Sequence, residues 1–299
     1  MPVLENTRIA IQNILFATDF SPASAAAVPY VEAIALRYKA NVLAAHVISP
    51  GSFAIVPPEA GVGAIDAIWD DAEAQLAAFG RGSLQAVPHR TLLAEGDVAT
   101  ALRSLVDKQK CQLLVLGTHG RKGINWFVMG SVAEAVLKIA PCPVLVVGPH
   151  APHGISTNRR LRRILYATDF THESLAGLDY ALDLAQEDHA KLTLLTVLAG
   201  ADADSLYRAT LNFATMRRLR QLVPEEAALE CEPDFIVGFG SVAEIINNRA
   251  KEDQSDLIIL GGRSAIHPRR GTHQFGAVTH KVISDAPCAV LSVPERRSN

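Results

Sequence analysis

The chain has 299 residues, of which 49% are hydrophobic and 20% charged, enough apolar content for a large core. This composition excludes a disordered or collagen-like chain and a small disulfide-stapled module. The net charge of −3, the absence of CxxC spacing among the four cysteines and the lack of a long apolar run predict a reduced cytoplasmic protein with neither a nucleic-acid nor a membrane partner.

In the first half, short apolar runs alternate with helical patterns. The runs predict strands at Asn13–Thr18, Asn41–Val47, His89–Ala94, Leu113–Gly117 and Val144–Val147. Continuous apolar strands of this kind are typical of parallel sheets covered on both faces by helices. The pattern therefore predicts an α/β fold with a doubly wound parallel sheet.

Two of the intervening helices have an apolar face and a polar residue where the helix begins. One face is predicted from Val98, Leu102, Leu105 and Val106 after a capping Asp97, and the other from Val132, Ala135, Val136 and Ile139 with Ser131 at the start.

The second half repeats the first. Ala17-Thr18-Asp19 recurs as Ala167-Thr168-Asp169, an offset of 150 residues, and Ala140-Pro141-Cys142 recurs as Ala286-Pro287-Cys288, an offset of 146. Leu113–Gly117 also matches a second apolar run that ends at Gly261. We therefore predict two tandem domains, residues 1–148 and 162–299, joined by a linker over 149–161. Cys142 and Cys288, which open matching strands, are expected to be buried structural thiols.

A glycine-rich loop and a helix start follow the fourth strand. Gly117, Gly120 and Gly130 are spaced around the loop, and Ser131 opens the next helix. Glycine permits close approach of a ligand, and a helix N-terminus offers free N–H groups to an anion. The pattern indicates a phosphate cradle, and a surface loop before an ordinary capped helix is the alternative.

The spacing Gly117-x2-Gly120-x9-Gly130-Ser131 resembles the ATP-binding signature of the universal stress protein family. The resemblance covers nearly the whole chain in two copies and implies a tandem, Rossmann-like protein with pseudo-two-fold related domains. No Gly-Lys-Ser/Thr ending is present, so the loop is not a Walker P-loop. The resemblance implies ATP as the ligand, with or without Mg²⁺. The histidines and cysteines show no HExxH or CxxC-type pairing, so no dedicated metal site is expected.

The resemblance assigns roles to residues of the first half. Ala17 and Thr18 are expected beside the base, Asp19 at the adenosine and the Val47 backbone at adenine. The remaining expected contacts flank the ribose and phosphates: Leu116, Gly117, His119, Gly120, Gly130, Ser131 and Val132. For Asp19 the alternative is a carboxylate that caps a turn, and for His119 an exposed loop residue without a ligand.

The second half departs from the signature. Gly261 is retained, but Ser264 replaces the second glycine, the spacer to Gly276 is longer and Ala277 stands where Ser131 stood. A side chain at 264 hinders close approach, and the loss of the hydroxyl removes a phosphate donor. We therefore predict that the first domain holds ATP and that the second binds it poorly or not at all.

The predicted function is an ATP-binding stress-response protein that works as a nucleotide-dependent switch or interaction module. It would act on an unidentified regulatory protein, and a homodimer of chains is an open alternative. No catalytic residue is assigned. The alternatives are a slow ATPase or ATP-using enzyme and a scaffold that has lost nucleotide binding.

The stretch Ser49–Gly63, rich in proline and glycine, is predicted to be a loop that closes over the nucleotide.

Overall fold

The computed structural model describes residues 9–53, 61–118, 129–148, 150–151, 160–199, 205–225, 227, 229–262 and 277–295. The chain divides into two compact units. One is Ile11–Pro149, called the first unit below, and the second unit is His150–Asn299 together with Met1–Ala10. Among the helices in the described ranges, none is both long and apolar enough to span a membrane.

Strands and helices alternate along the described part of the first unit. In chain order the elements are β1 (Asn13–Ala17), α1 (Pro22–Ala25), α2 (Val28–Tyr38), β2 (Asn41–Ile48), α3 (Pro50–Phe53), α4 (Gly61–Ser83), β3 (His89–Glu95), α5 (Val98–Gln109), β4 (Leu113–Gly117), α6 (Ser131–Ile139) and β5 (Val144–Val147). The strands pair in parallel in the order β3-β2-β1-β4-β5. The predicted doubly wound α/β class is therefore confirmed.

The second unit repeats this order. Its elements are β6 (Arg163–Ala167), α7 (His172–Leu175), α8 (Leu178–Asp188), β7 (Lys191–Leu198), α9 (Ser205–Arg220), β8 (Asp234–Phe239), α10 (Val242–Glu252), β9 (Leu257–Gly262), α11 (Ala277–Asp285) and β10 (Ala289–Pro294). The strands are again parallel, in the order β8-β7-β6-β9-β10. The duplication read from the sequence is thus a duplication of topology.

The N-terminal boundary differs from the prediction. Ile9, predicted to lie in a first domain of residues 1–148, belongs to the second unit. Its side chain is 7% exposed, and its backbone N–H donates to Asp183 Oδ1 of α8 at 3.3 Å. An apolar side chain and a backbone donor both find partners there, which explains the assignment. Of the predicted linker, Pro149 and residues 152–159 lie outside the described residues.

Most local predictions agree with the structure, and two need correction. Asp97 caps α5 by accepting the Thr100 N–H, and Cys142 and Cys288 are buried as predicted. Burial raises the pKa of Cys142 to about 12, so the thiol stays neutral.

The first correction concerns the stretch Ser49–Gly63, which was predicted to be a loop. It contains α3 and the first residues of α4, and residues 54–60 lie outside the described part.

The second correction concerns the buried face of α6. Val132 was predicted to face the core but is 40% exposed, and Ala135 and Ile139 are only partly buried. The core side is formed by Ala133, Val136 and Leu137. Apolar residues lie nearly all around this short helix, so the pattern alone does not select the face.

Candidate functional site

The candidate site lies where the strand order of the first unit reverses. β1 lies between β2 and β4, and because all three run parallel, their carboxyl ends meet at one edge of the sheet. Open α/β sheets bind ligands in the crevice outside such a reversal. The residues that follow β1 and β4 are therefore the ones positioned to meet a ligand.

Thr18 organises the turn after β1. Its N–H donates to the Ala45 carbonyl of β2 at 2.9 Å, and its side chain is buried. The Thr18 hydroxyl accepts the Phe20 N–H at 3.0 Å and shares a hydrogen bond with the Ser24 hydroxyl, also at 3.0 Å. The hydroxyl predicted to lie beside a base is thus engaged in holding the turn, whereas Ala17 just before it is partly exposed.

Asp19 follows in the same turn and is half-buried. Its Oδ1 accepts the Ser21 N–H at 3.1 Å, and Ser21 in turn caps α1 by accepting the Ser24 N–H at 3.2 Å. The alternative role of a turn-capping carboxylate is therefore real. Capping does not exclude a second role at a ligand, because a carboxylate offers about four acceptor positions.

Phe20 is a strained residue at the centre of this turn. Its φ of 62° lies in the left-handed region, which a bulky side chain rarely adopts. The ring lies 4.5 Å from the His46 ring and 6.1 Å from the Phe79 ring, measured between centroids. Such strain persists only where the surroundings hold it, and it occurs preferentially at functional sites.

His46, next to the predicted Val47, was missed in the sequence analysis. Its Nδ1 lies 2.8 Å from the Thr18 carbonyl oxygen. Because a carbonyl only accepts, Nδ1 must carry the hydrogen of this bond. His46 therefore ties β2 to the turn after β1. The available signal was a single histidine in a strand that is otherwise apolar after Asn41, one residue before the end predicted at Val47.

Gly117 at the end of β4 has a packing reason to be glycine. A Cβ at this position would lie 2.6 Å from the Ala23 carbonyl oxygen of α1. The backbone of α1 thus passes so close that no side chain fits. Gly117 was predicted from its place in a ligand motif, and close packing of the fold already accounts for it. Leu116 beside it is buried in the sheet.

The start of α6 is fixed to the end of β4. The Gly130 N–H donates to the Thr118 carbonyl at 2.8 Å, and Thr118 is held to β5 by its own N–H, which donates to the Val147 carbonyl at 3.0 Å. Gly130 is the N-cap, and no side chain in the described residues caps this helix. Ser131 and Val132, the first two helical residues, are exposed. His119 and Gly120 lie outside the described residues.

The second unit repeats the turn nearly atom for atom. The Thr168 hydroxyl accepts the Phe170 N–H at 3.0 Å, and Phe170 also has a φ of 62°. Asp169 Oδ1 accepts from the N–H and the hydroxyl of Thr171 at 3.0 and 2.6 Å. Burial opposes ionisation of Asp169, but the hydrogen bonds from Thr171, together with smaller contributions from Ser174 and the backbone of Asp169, outweigh it and lower its pKa.

The two units differ at the start of the last helix. α11 begins at Ala277, the position that Ser131 holds in α6, so the hydroxyl is absent there. Arg218 of α9 lies over the Phe170 ring at 4.2 Å, whereas His46 and Phe79 are the ring neighbours of Phe20. Ser264 and Gly276 lie outside the described residues.

The first-unit site combines a carboxylate after β1 with an uncapped helix start after β4. Oxygen acceptors suit ribose hydroxyls, and free N–H groups with a serine hydroxyl suit phosphate. Within the described ranges, no group of three or more His, Cys, Asp or Glu residues is placed to hold a metal ion.

Comparison with known proteins identifies the family. The model of the universal stress protein family matches residues 10–148 and 160–294. A universal stress protein of Methanocaldococcus jannaschii is 30% identical over 154 residues, which cover 48% of this chain and 86% of that protein.

Solved structures agree on the fold. The crystal structure of a universal stress protein from Archaeoglobus fulgidus superposes with a TM-score of 0.70 at 18% identity, covering 95% of this chain and 96% of that one. A universal stress protein solved in complex with cAMP matches 46% of this chain and 98% of its own, at 20% identity. Its TM-score of 0.36 gives no argument for the same ligand here. On the family match in both halves, the chain belongs to the universal stress protein family as a tandem protein.

Proposed function

We propose that the first unit binds ATP at the carboxyl edge of its sheet, and that the protein acts in the cytoplasm as a nucleotide-dependent switch or interaction module of the stress response. The observation that carries the proposal is the hydrogen bond from the Gly130 N–H to the Thr118 carbonyl, 2.8 Å long. It holds the N-terminus of α6 beside the end of β4, next to the turn that carries Asp19.

The backbone of Gly130 supports a ligand at this place. Its φ of −61° and ψ of 145° are open to any residue, so the chain conformation does not require glycine. Close approach of phosphate to the helix start is a reason for the missing side chain. In contrast, Gly117 is already explained by its contact with α1.

The adenosine would bind at the end of β1, and the phosphates would bind at the helix start that follows β4. Asp19 after β1 would accept from the ribose hydroxyls, as acidic residues do in dinucleotide-binding folds. The backbone N–H groups of the first turn of α6 and the Ser131 hydroxyl would hold phosphate. Any Mg²⁺ would arrive with ATP and be held chiefly by phosphate oxygens and water.

The test is calorimetric titration of the nucleotide-stripped full chain with ATP, alongside Gly130→Val. Valine at the N-cap crowds the phosphate position, so we expect one site per chain in the wild type and none in the variant. Circular dichroism and urea unfolding check that the variant remains folded, because valine is also a poor N-cap. AMP and ADP, titrated in the same way, report how much of the affinity comes from the terminal phosphates.

Two results would overturn the proposal in different ways. Absence of binding by the stripped wild type favours the scaffold reading. Two sites per chain would show that Ala277 and the altered loop of the second unit do not prevent binding.

A further inference from the structure

The helix between the second and third strands carries opposite charge in the two units. α4 packs against β2 and β3, and α9 packs against β7 and β8, so the two helices hold the same place in the repeated topology. Their surfaces nevertheless differ in charge and in apolar exposure. The contrast is local, because the whole chain has a formal net charge of only −3.

The outward face of α4 is acidic. Asp66, Asp70 and Glu73 are all exposed and follow the spacing i, i+4, i+7, which puts them on one side of the helix. Ala67 and Ala74 are also exposed, and the helical spacing puts their short side chains along one side of the row of carboxylates. We call Asp66, Asp70 and Glu73 the acidic face.

The outward face of α9 is basic and carries a large apolar side chain. Phe213 is 76% exposed, and Arg217 and Arg220 follow it at the same spacing, i, i+4, i+7. The sequence of α9 contains no acidic residue. We call Phe213, Arg217 and Arg220 the basic face.

The other two arginines of α9 are engaged within the second unit. Arg208 lies over the Phe239 ring at 4.5 Å, and Arg218 lies over the Phe170 ring at 4.2 Å. These cation–π contacts pack one side of α9 onto its own unit. Phe213 and Arg217 lie away from these contacts, where the Phe213 side chain meets solvent. Arg220 is exposed too, but its guanidinium also reaches the Phe235 ring of the same unit.

The side chains of both faces are available for a partner. Among the residues that the structure describes, none forms an ion pair with a member of either face. Arg220 has a long cation–π contact with the Phe235 ring, 5.9 Å to the centroid, and remains exposed. An exposed aromatic side chain flanked by arginines is the composition of an interface anchor. A surface that complements such an anchor has carboxylates for the arginines and small side chains that leave room for the ring. The acidic face and the exposed alanines beside it provide these two features.

We propose that the basic face of α9 docks on the acidic face of α4 of a second copy of this chain. Phe213 would be covered against the exposed alanines of α4, while the arginines face the carboxylates. The matched spacing lets the two arginines meet two of the three carboxylates along the helix. The proposal concerns self-association and does not depend on ATP binding.

Sedimentation velocity of the full chain at low and high salt is the first test. Exposed charges are screened within about 10 Å at 0.1 M salt and about 3 Å at 1 M, so association should weaken steeply with salt. A wild type that stays monomeric over the whole accessible concentration range at low salt overturns the proposal.

Charge reversal locates the contact. Arg217→Glu/Arg220→Glu and Asp66→Lys/Asp70→Lys should each weaken self-association by about tenfold or more, because repulsion replaces attraction. Mixing the two variants should restore a heteromeric complex, since the native acidic face of the first then meets the native basic face of the second, and the two reversed faces also carry opposite charges. Failure of the mixture to associate overturns the pairing of these two faces.

Matched controls separate the faces from general effects of charge and hydrophobicity. Lys108→Glu/Lys110→Glu changes the charge by the same amount on α5 and its C-cap and should leave association unchanged. Phe213→Ser should weaken association, whereas Leu36→Ser, at a residue that is 46% exposed on α2, should not. Equal effects of test and control variants would assign the association to another surface.

Discussion

The two units share one turn and differ at one helix start. In both, a threonine hydroxyl accepts the N–H of a left-handed phenylalanine, and an aspartate accepts from the residue two positions on. The helix after the fourth strand, however, begins with Ser131 in one unit and Ala277 in the other. The shared turn therefore belongs to the fold, whereas the residue that opens the helix differs between the two units.

The glycine at the end of the fourth strand, Gly117 in the first unit and Gly261 in the second, is also explained by the fold. Gly261 is retained in the second unit, although Ser264, Ala277 and the longer spacer depart from the signature. A Cβ there would lie 2.2 Å from the Glu173 carbonyl oxygen, just as one at Gly117 would lie 2.6 Å from that of Ala23. Close packing against the short helix of the same unit, α1 or α7, is therefore enough to explain why this glycine is retained. Its retention is no evidence for nucleotide binding.

The largest expected effect tests this packing explanation. Gly117→Ala and Gly261→Ala should each lower the free energy of unfolding by about 1–3 kcal/mol, the cost of overpacking a filled site. Urea unfolding of the full chain is the measurement. Gly63→Ala is the control, because a Cβ there meets nothing within 4 Å, and it should be neutral or stabilising. A Gly117→Ala variant as stable as the control would mean that the glycine is kept for a ligand.

The next largest effect separates the two aspartates. Asp19→Asn should weaken ATP binding by about tenfold or more, since a hydrogen bond to a charged group is lost at the ribose. Asp169→Asn should leave ATP binding unchanged. An asparagine oxygen still accepts the turn hydrogen bond, so both variants should stay folded. Calorimetric titration with ATP is the measurement. An equal loss of ATP affinity in the two variants would mean that the second unit also takes part in ATP binding.

A smaller effect is expected from the hydroxyl that distinguishes the helix starts. Ser131→Ala should weaken ATP binding about fivefold, the value of one neutral hydrogen bond of ~1 kcal/mol. Ala277→Ser, the reverse change in the second unit, should not create a second site, because the loop before it also differs. Both residues are exposed, so stability should not change. A second ATP site in Ala277→Ser would mean that this one hydroxyl accounts for the whole difference in ATP binding between the two units.

The smallest effect is a dependence of stability on pH in the second unit. The pKa of Asp169 is lowered by folding, so its contribution to stability is present above its unfolded pKa of about 3.9 and is lost as pH falls through the lower folded value. Asp169→Asn should therefore be less stable than the wild type at neutral pH, and the gap should close in acid. Urea unfolding at several pH values measures the gap, and a constant gap would contradict this account.

Much of the fold was predictable because its signals are local. β4 and β5 were predicted with their observed ends, and the other predicted strands of the first unit differ by one residue at one end. Strands buried on both faces are continuous apolar runs, which a sequence shows directly. The cap at Asp97 needed only the residue itself and the helix that follows it.

Parts of the site were not predictable because they depend on distant neighbours. The packing reason for Gly117 requires the position of α1, some ninety residues earlier in the chain. The role of His46 requires that β2 and the turn after β1 be neighbours in space. The exposure of Val132 follows from how α6 rotates against its sheet, which six apolar residues among nine do not decide.

The sequence by itself determined the duplication, the α/β class, the place of the strands and the departure of the second half from the nucleotide signature. These follow from apolar periodicity and from residue identity at matched positions, which are properties of short segments. Only the tertiary structure decided that one signature glycine serves packing, that Asp19 caps a turn, and that α4 and α9 present faces of opposite charge. Each of these depends on which atoms meet, or fail to meet, after distant segments have packed together.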